Sequence, residues 1–123
     1  MDRQQADTQK IGAQAEYIAK IFLQQQGLVF VTQNYRCPQG EIDLIFKDKK
    51  QWVFVEVKNR KNTLFGTPAE WVTASKQRKL ILATQHYIAS HNISSRDAMR
   101  FDVVGITNLN TDSIEWFTHA FEC

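Results

Sequence analysis

The chain is poor in glycine, proline and cysteine, with five, two and two residues among 123. The glycines and prolines do not cluster into a linker and no repeat is visible, so we expect a single domain over residues 1–123. The two cysteines, Cys37 and Cys123, are far apart and match no metal-ligand spacing. This spacing argues against a structural zinc site and a disulfide framework.

Long apolar runs are also lacking. No stretch approaches the roughly 20 residues of a membrane span, and the first residues, MDRQQADTQK, lack the apolar core of a signal peptide. We therefore expect a cytoplasmic protein that does not bind membranes. The three histidines, at positions 86, 91 and 119, are scattered, so Ser-His or Cys-His nucleophilic catalysis has no support.

Charged residues interrupt two strand-like runs between residues 40 and 60, GEIDLIFKDKKQWVFVEVKNR. Side chains alternate along a strand, which places Asp43 on one face of the first run and Glu56 with Lys58 on one face of the second. The opposite faces carry Ile42, Leu44 and Phe46 in the first run and Val53, Val55 and Val57 in the second. The short polar KDKK segment predicts an antiparallel hairpin, so the three charged groups are expected to converge.

Two carboxylates and an ammonium suit divalent-metal chemistry. Mg²⁺ prefers oxygen ligands and keeps several waters, so Asp43 and Glu56 are candidate ligands for Mg²⁺ or Mn²⁺. Lys58 is placed to orient an attacking water or to stabilise developing negative charge. The alternative is a solvated strand face on which these residues make weak surface pairs.

The spacing of Asp43 and Glu56-Val57-Lys58 resembles the PD-(D/E)xK nuclease signature. The wider pattern GEIDLI…VFVEVKNR, with the upstream helix and RFDVVGI, is similar to the YraN family of bacterial endonuclease-like proteins. The resemblance covers about Gly12 to Ile106. It implies a restriction-endonuclease-like αβββαβ core related to Holliday junction resolvases, with Asp43, Glu56 and Lys58 as catalytic residues. Ile42 stands where the signature has proline, a position that supplies no ligand.

A first helix is predicted from about Thr8 to Gln26 by apolar residues at helical spacing. Glu16 lies at the margin of that apolar stripe. The family resemblance implies that Glu16 is an auxiliary metal ligand, as a first-helix glutamate is in the resolvase branch. The alternative is a solvated carboxylate, or one paired with Lys20 four residues later.

Basic residues concentrate beside the proposed site although the whole chain carries only +2. Between Lys58 and Lys79 the sequence has six basic residues and one acid. Lysine and arginine supply sequence-independent affinity for phosphates, so we expect a nucleic-acid surface here; a merely solvated surface is the alternative. Its candidate residues are Arg60, Lys61, Lys76, Gln77, Arg78 and Lys79.

A second long helix is expected from Pro68, after an Asn62–Pro68 loop and a Thr67 cap, to about Ser90. Its periodicity assigns Lys76 to the apolar face, which indicates either a snorkelling side chain or a place beside the acidic cluster. Phe65 and Trp71 are either base-stacking groups or core residues. Further strands are predicted at residues 28–35, 101–106 and 113–118, with Asp102 structural and paired with Arg100 or a helix.

These patterns predict one α/β domain with a mixed, mainly antiparallel sheet flanked by two long helices. We expect a Mg²⁺- or Mn²⁺-dependent nuclease acting on DNA, including branched or structured DNA. The sequence leaves two alternatives open: a DNA-binding accessory protein of the same fold without useful turnover, and an RNA-processing enzyme using the same site. Cleavage of two strands would suit a homodimer.

Overall fold

The computed structural model describes residues 3–61 and 71–122. They form two helices and five strands in the predicted order. The helices are α1 (Arg3–Gln25) and α2 (Ala74–Ser90), and the strands are β1 (Val29–Cys37), β2 (Gly40–Asp48), β3 (Gln51–Arg60), β4 (Met99–Thr107) and β5 (Asn110–Phe121).

The strands form one sheet in the order β1-β2-β3-β4-β5. Three neighbouring pairs are antiparallel, and β3 with β4 is parallel. A parallel neighbour needs a long crossover connection, and α2 lies within it. The mixed, mainly antiparallel sheet of the prediction is therefore confirmed, as is an α/β core consistent with the restriction-endonuclease-like class.

The two helices cover opposite faces of the sheet. Ala15, Ala19 and Leu23 of α1 pack with one set of strand residues, and Leu80, Ala83 and Tyr87 of α2 pack with another. The α1 side buries Leu44, Phe46, Val53, Val55, Val104 and Ile106. The α2 side buries Ile42, Ile45, Phe54 and Phe101. Ile42 thus lies with Ile45, and its predicted place beside Leu44 and Phe46 is wrong.

The ends of the helices follow local sequence signals. Gly27, at φ 98, follows α1 and adopts the left-handed conformation that glycine tolerates best. Thr73 caps α2: its backbone is extended and its side chain accepts the amide of Lys76 at 3.2 Å. The prediction of one continuous helix from Pro68 is therefore wrong at Thr73, while Phe65 and the predicted 62–68 loop lie outside the described residues.

Trp71 belongs to the core. Its side chain is buried with Val72 and Val103, and a Cβ added at Gly105 would lie 2.8 Å from its ring. A ring enclosed in this way cannot stack on bases, so the core alternative for Trp71 is the correct one. Within the described residues, no helix is long and apolar enough to cross a membrane.

Arg100 and Asp102 form a buried polar centre beneath β5, as predicted for Asp102. Arg100 Nε donates to Asp102 Oδ1 at 3.0 Å, and its Nη1 reaches Asp48 at 3.0 Å. Asp102 also accepts Trp116 Nε1 at 2.9 Å and the amide of His119 at 3.1 Å. The carboxylate is fully buried and is neutralised by these partners, which makes its role structural.

Candidate metal and nucleic-acid site

Asp43 and Glu56 meet where β2 and β3 cease to pair. The last paired residues towards this end are Leu44 and Val55. Beyond them, Asp43 Oδ2 accepts the amide of Val57 at 2.8 Å. The carboxylate of one strand is thereby fixed against the backbone of the other, which brings it next to Glu56.

The two carboxyl groups lie in a cleft of about 410 Å³ between the helices. Its walls include Gly12 and Glu16 of α1, Glu41 and Asp43 of β2, Glu56 and Lys58 of β3, and Lys76 of α2. The predicted catalytic residues and Glu16 are therefore brought together. Lys58 itself is exposed to solvent at the rim.

Burial makes this cleft unfavourable for negative charge. Asp43 and Glu56 are only 9% and 5% exposed. Desolvation, followed by the nearby Asp43 carboxylate, raises the pKa of Glu56 to about 9. Desolvation also raises the pKa of Asp43, although the amide of Val57 opposes the change. Without a cation, the pair therefore holds a proton near neutral pH.

Glu16 approaches the same cleft from α1. Its partial burial and then the Asp43 charge raise its pKa to about 7. With its amide nitrogen turned towards α1, Asn34 donates to both Glu16 oxygens, at 3.0 and 3.1 Å. The alternative partner, Lys20, instead places its ammonium 4.0 Å from the ring centre of Phe30. Glu16 is therefore oriented by β1 and faces the acidic pair.

Lys76 lies beside the site, which is one of the two places that its sequence position indicated. Its side chain is 48% exposed, and its Nζ lies 4.0 Å from Glu56 Oε1. The buried residues of α2 are Leu80, Ala83, Thr84 and Tyr87. Lys76 therefore reaches the Glu56 carboxylate along the surface. It is both a snorkelling side chain and a neighbour of the acidic cluster, so both explanations of its sequence position apply.

The other predicted nucleic-acid residues divide into two groups. Lys61, Arg78 and Lys79 are exposed. Arg60 and Gln77 instead donate hydrogen bonds to the backbone just before α2. Arg60 Nη2 donates to the Trp71 carbonyl at 3.2 Å, with its guanidinium 5.2 Å from the indole centre. Gln77 Nε2 donates to the Val72 carbonyl at 3.1 Å.

The donor set fits a hard divalent cation such as Mg²⁺ or Mn²⁺. Buried carboxylates with raised pKa values are stabilised in their charged form by a bound cation. Over residues 3–61 and 71–122, no three His, Cys, Asp or Glu side chains enclose a metal site by themselves. Asp43 and Glu56 would therefore leave positions for water and substrate oxygens, as Mg²⁺ requires.

Sequence reasoning missed two residues near the cleft. Asn34 holds Glu16, and its backbone has a left-handed φ of 54, a conformation that asparagine tolerates better than most residues. Arg36 pairs with Glu41 at 3.3 Å. The sequence does not reveal either contact, since both depend on how β1 lies against α1 and β2.

The sheet is mixed and has one helix on each face, and the two carboxyl groups lie where β2 and β3 cease to pair. This arrangement is consistent with a restriction-endonuclease-like core. The chain belongs to uncharacterised protein family UPF0102, the YraN family, whose model matches residues 15–106. It is 46% identical over 115 residues to a UPF0102 protein of Coxiella burnetii, covering 94% of both chains. A Saccharophagus degradans relative is 44% identical over 89% of this chain and 91% of its own, and a Legionella pneumophila relative is 41% identical over 94% and 97%.

Proposed function

We propose that the protein is a divalent-metal-dependent nuclease that hydrolyses phosphodiester bonds in DNA, including branched or structured DNA. The observation that carries this proposal is the pair of buried carboxyl groups, Asp43 and Glu56, in a cleft rimmed by lysines. Burying the charges of two neighbouring carboxylates destabilises a fold unless a cation neutralises them. A site of this kind is suited to binding a cation during a reaction.

In this proposal Asp43 and Glu56 hold Mg²⁺ or Mn²⁺, with Glu16 as an auxiliary ligand. The bound ion supplies a more acidic water and withdraws charge from the scissile phosphate. The chain's own residues then position the reactants. Val57 fixes Asp43, Asn34 fixes Glu16, and the exposed Lys58 orients the attacking water or stabilises the developing charge.

The substrate is held by the lysines and arginines around this acidic centre. Lys61, Lys76, Arg78 and Lys79 are exposed, and Lys76 lines the cleft; in this proposal they contact phosphates. Arg60 and Gln77 act indirectly by holding the segment that leads into α2. Cations around a metal-bound carboxylate pair match a polyanion better than either charge alone.

The test is cleavage of labelled single-stranded, duplex, flap and four-way-junction DNA, with matching RNA, in Mg²⁺ or Mn²⁺. Asp43→Asn and Glu56→Gln should bind substrate without cutting it. Asp112→Asn, at an exposed position, is the matched control and should cut like wild type. Mn²⁺ titration by calorimetry should show a site that both variants lose.

Equal cleavage by all four proteins would identify a contaminating nuclease and overturn the assignment. Absence of cleavage, combined with metal-independent, salt-sensitive DNA binding that persists in Asp43→Asn, would leave the DNA-binding accessory protein as the better description. Cleavage confined to RNA would retain the site and change the substrate.

A further inference from the structure

A second cavity, of about 280 Å³, adjoins the acidic cleft on the side of α2. Its walls are Arg36 and Cys37 of β1, Gly40 and Glu41 at the start of β2, Glu56 of β3, and Lys76, Lys79 and Leu80 of α2. Glu41, Glu56 and Lys76 line both spaces. The two spaces therefore share part of their walls, and we call the second one the side cavity.

The charges of the side cavity differ from those of the cleft. Arg36, Lys76 and Lys79 give it three cations against the two carboxyl groups of Glu41 and Glu56. Its remaining wall is apolar, because Leu80 is buried there and Cys37 lies half-buried beside it. A cationic rim over an apolar wall is suited to a group with a charged end and a flat apolar part.

The shape of the side cavity depends on a close backbone approach. A Cβ added at Gly40 would lie 2.9 Å from the Lys79 carbonyl oxygen. Glycine thus allows α2 to lie directly against the β1–β2 turn. At about 280 Å³ the cavity is at the lower limit of ligand pockets, which typically measure roughly 300–1,000 Å³, so it takes one nucleotide at most and not a duplex.

We infer that the side cavity binds an unpaired nucleotide next to the scissile phosphate, so that the substrate is DNA with a single-stranded segment at the cleavage point. This inference rests on the proposed function. Arg36 and Lys79 contact the nucleotide's phosphate, its base lies against Leu80 and Cys37, and Lys76 contacts the phosphate between the two spaces. A fully paired strand cannot turn its base into this cavity without losing its pairing and stacking.

The test uses Cys37 as a reporter in Asp43→Asn protein whose other cysteine is replaced, Cys123→Ser. Reaction of Cys37 with a chromogenic disulfide reagent is followed with a single-stranded oligonucleotide, a duplex carrying a single-stranded end, and a blunt duplex. Each is present at a concentration that anisotropy shows to be saturating. The first two DNAs should slow the reaction of Cys37, whereas the bound blunt duplex should leave its rate unchanged.

Charge reversal at the cavity provides the second measurement. Lys79→Glu should weaken single-strand binding about tenfold and blunt-duplex binding much less. Lys50→Glu is the matched control, because Lys50 is exposed in the turn at the far end of the β2–β3 hairpin. Equal protection of Cys37 by all three DNAs, or equal losses in both variants, would overturn the inference. Neither measurement requires cleavage, so failure of the nuclease proposal is detected separately.

Discussion

Asp43 Oδ2 and the Val57 amide are joined by a 2.8 Å hydrogen bond across the point where β2 and β3 cease to pair. The side chain of Asp43 accepts a hydrogen bond from the partly buried amide of Val57. It therefore has a structural duty that does not require its negative charge. A mutation of Asp43 can therefore remove its negative charge and keep its hydrogen-bond acceptor.

Asp43→Asn should make the protein more stable while removing metal binding. The amide oxygen still accepts the Val57 amide, and the cost of burying the Asp43 charge is gone. We expect the free energy of unfolding to rise by about 1 kcal/mol or more at neutral pH. Asp43→Ala is the control: it leaves the Val57 amide without its acceptor and should cost about 1–3 kcal/mol. Urea denaturation in EDTA measures both, and destabilisation by Asn would contradict the argument.

Metal-free protein should lose stability as the pH rises. Burial raises the pKa of Glu56 from 4.5 to about 9, so the folded chain keeps a proton that the unfolded chain has released. The folded state then binds more protons between about pH 4.5 and 9, and the free energy of unfolding falls across that window. The pKa of Glu16 is raised from 4.5 to about 7. Glu16 therefore adds to the loss of stability between those two pH values. Denaturation midpoints in EDTA at several pH values test this.

Mn²⁺ should oppose that decline, because it binds the deprotonated pair and stabilises the folded state more as pH rises. Glu56→Gln serves as the control. Its stability should vary less with pH, and Mn²⁺ should raise its melting temperature less at every pH. An unchanged pH dependence in this variant would place the titrating group elsewhere.

The contact of α2 with the β1–β2 turn depends on Gly40. Gly40→Ala introduces a Cβ 2.9 Å from the Lys79 carbonyl oxygen, and α2 must move. We expect a loss of about 1–3 kcal/mol in the free energy of unfolding. Gly12→Ala is the comparison within α1, because its added Cβ meets nothing within 4 Å. That variant should gain about 0.5–1 kcal/mol, and thermal denaturation distinguishes the two.

Asp102 should prove structural and not catalytic. Asp102→Ala leaves the buried Arg100 guanidinium without its main partner and orphans Trp116 Nε1. Such a change typically costs about 3–5 kcal/mol. Chemical denaturation should show the loss, while metal affinity of the remaining folded protein stays near that of wild type. A variant with native stability and no metal binding would contradict the assignment.

Local patterns were sufficient to predict most of the fold. Alternation along β3 placed Val53 and Val55 opposite Phe54, as found, and the polar hairpin turn brought Asp43 to Glu56. Alternation failed at Ile42, which lies beyond the last β2–β3 pair, where the strands separate. A periodic rule assumes a regular strand, and the site is located where regularity ends.

The helix signals failed for a related reason. Thr67-Pro68 and Thr73 both resemble helix starts, and only the extended backbone of Thr73 identifies it as the cap of α2. The sequence favoured a core position for Trp71 but left stacking on a base open, and the close approach of Gly105 to its ring decides for the core. The start of α2 and the place of Trp71 depend on contacts between segments that are distant in sequence, and a single sequence does not reveal those contacts.

The acidic pair comes from one hairpin, whereas Glu16 and Lys76 come from helices that pack on opposite faces of the sheet. A hairpin forms from contacts that are local in sequence, while the parallel β3–β4 pair joins Trp52 to Met99 across a long intervening segment. Asp43 and Glu56 should therefore remain hydrated until late in folding, when the helices dock and remove water. The cost of removing Glu56 from water is then absent from the transition state. Glu56→Gln should consequently slow unfolding and leave the folding rate nearly unchanged in stopped-flow experiments.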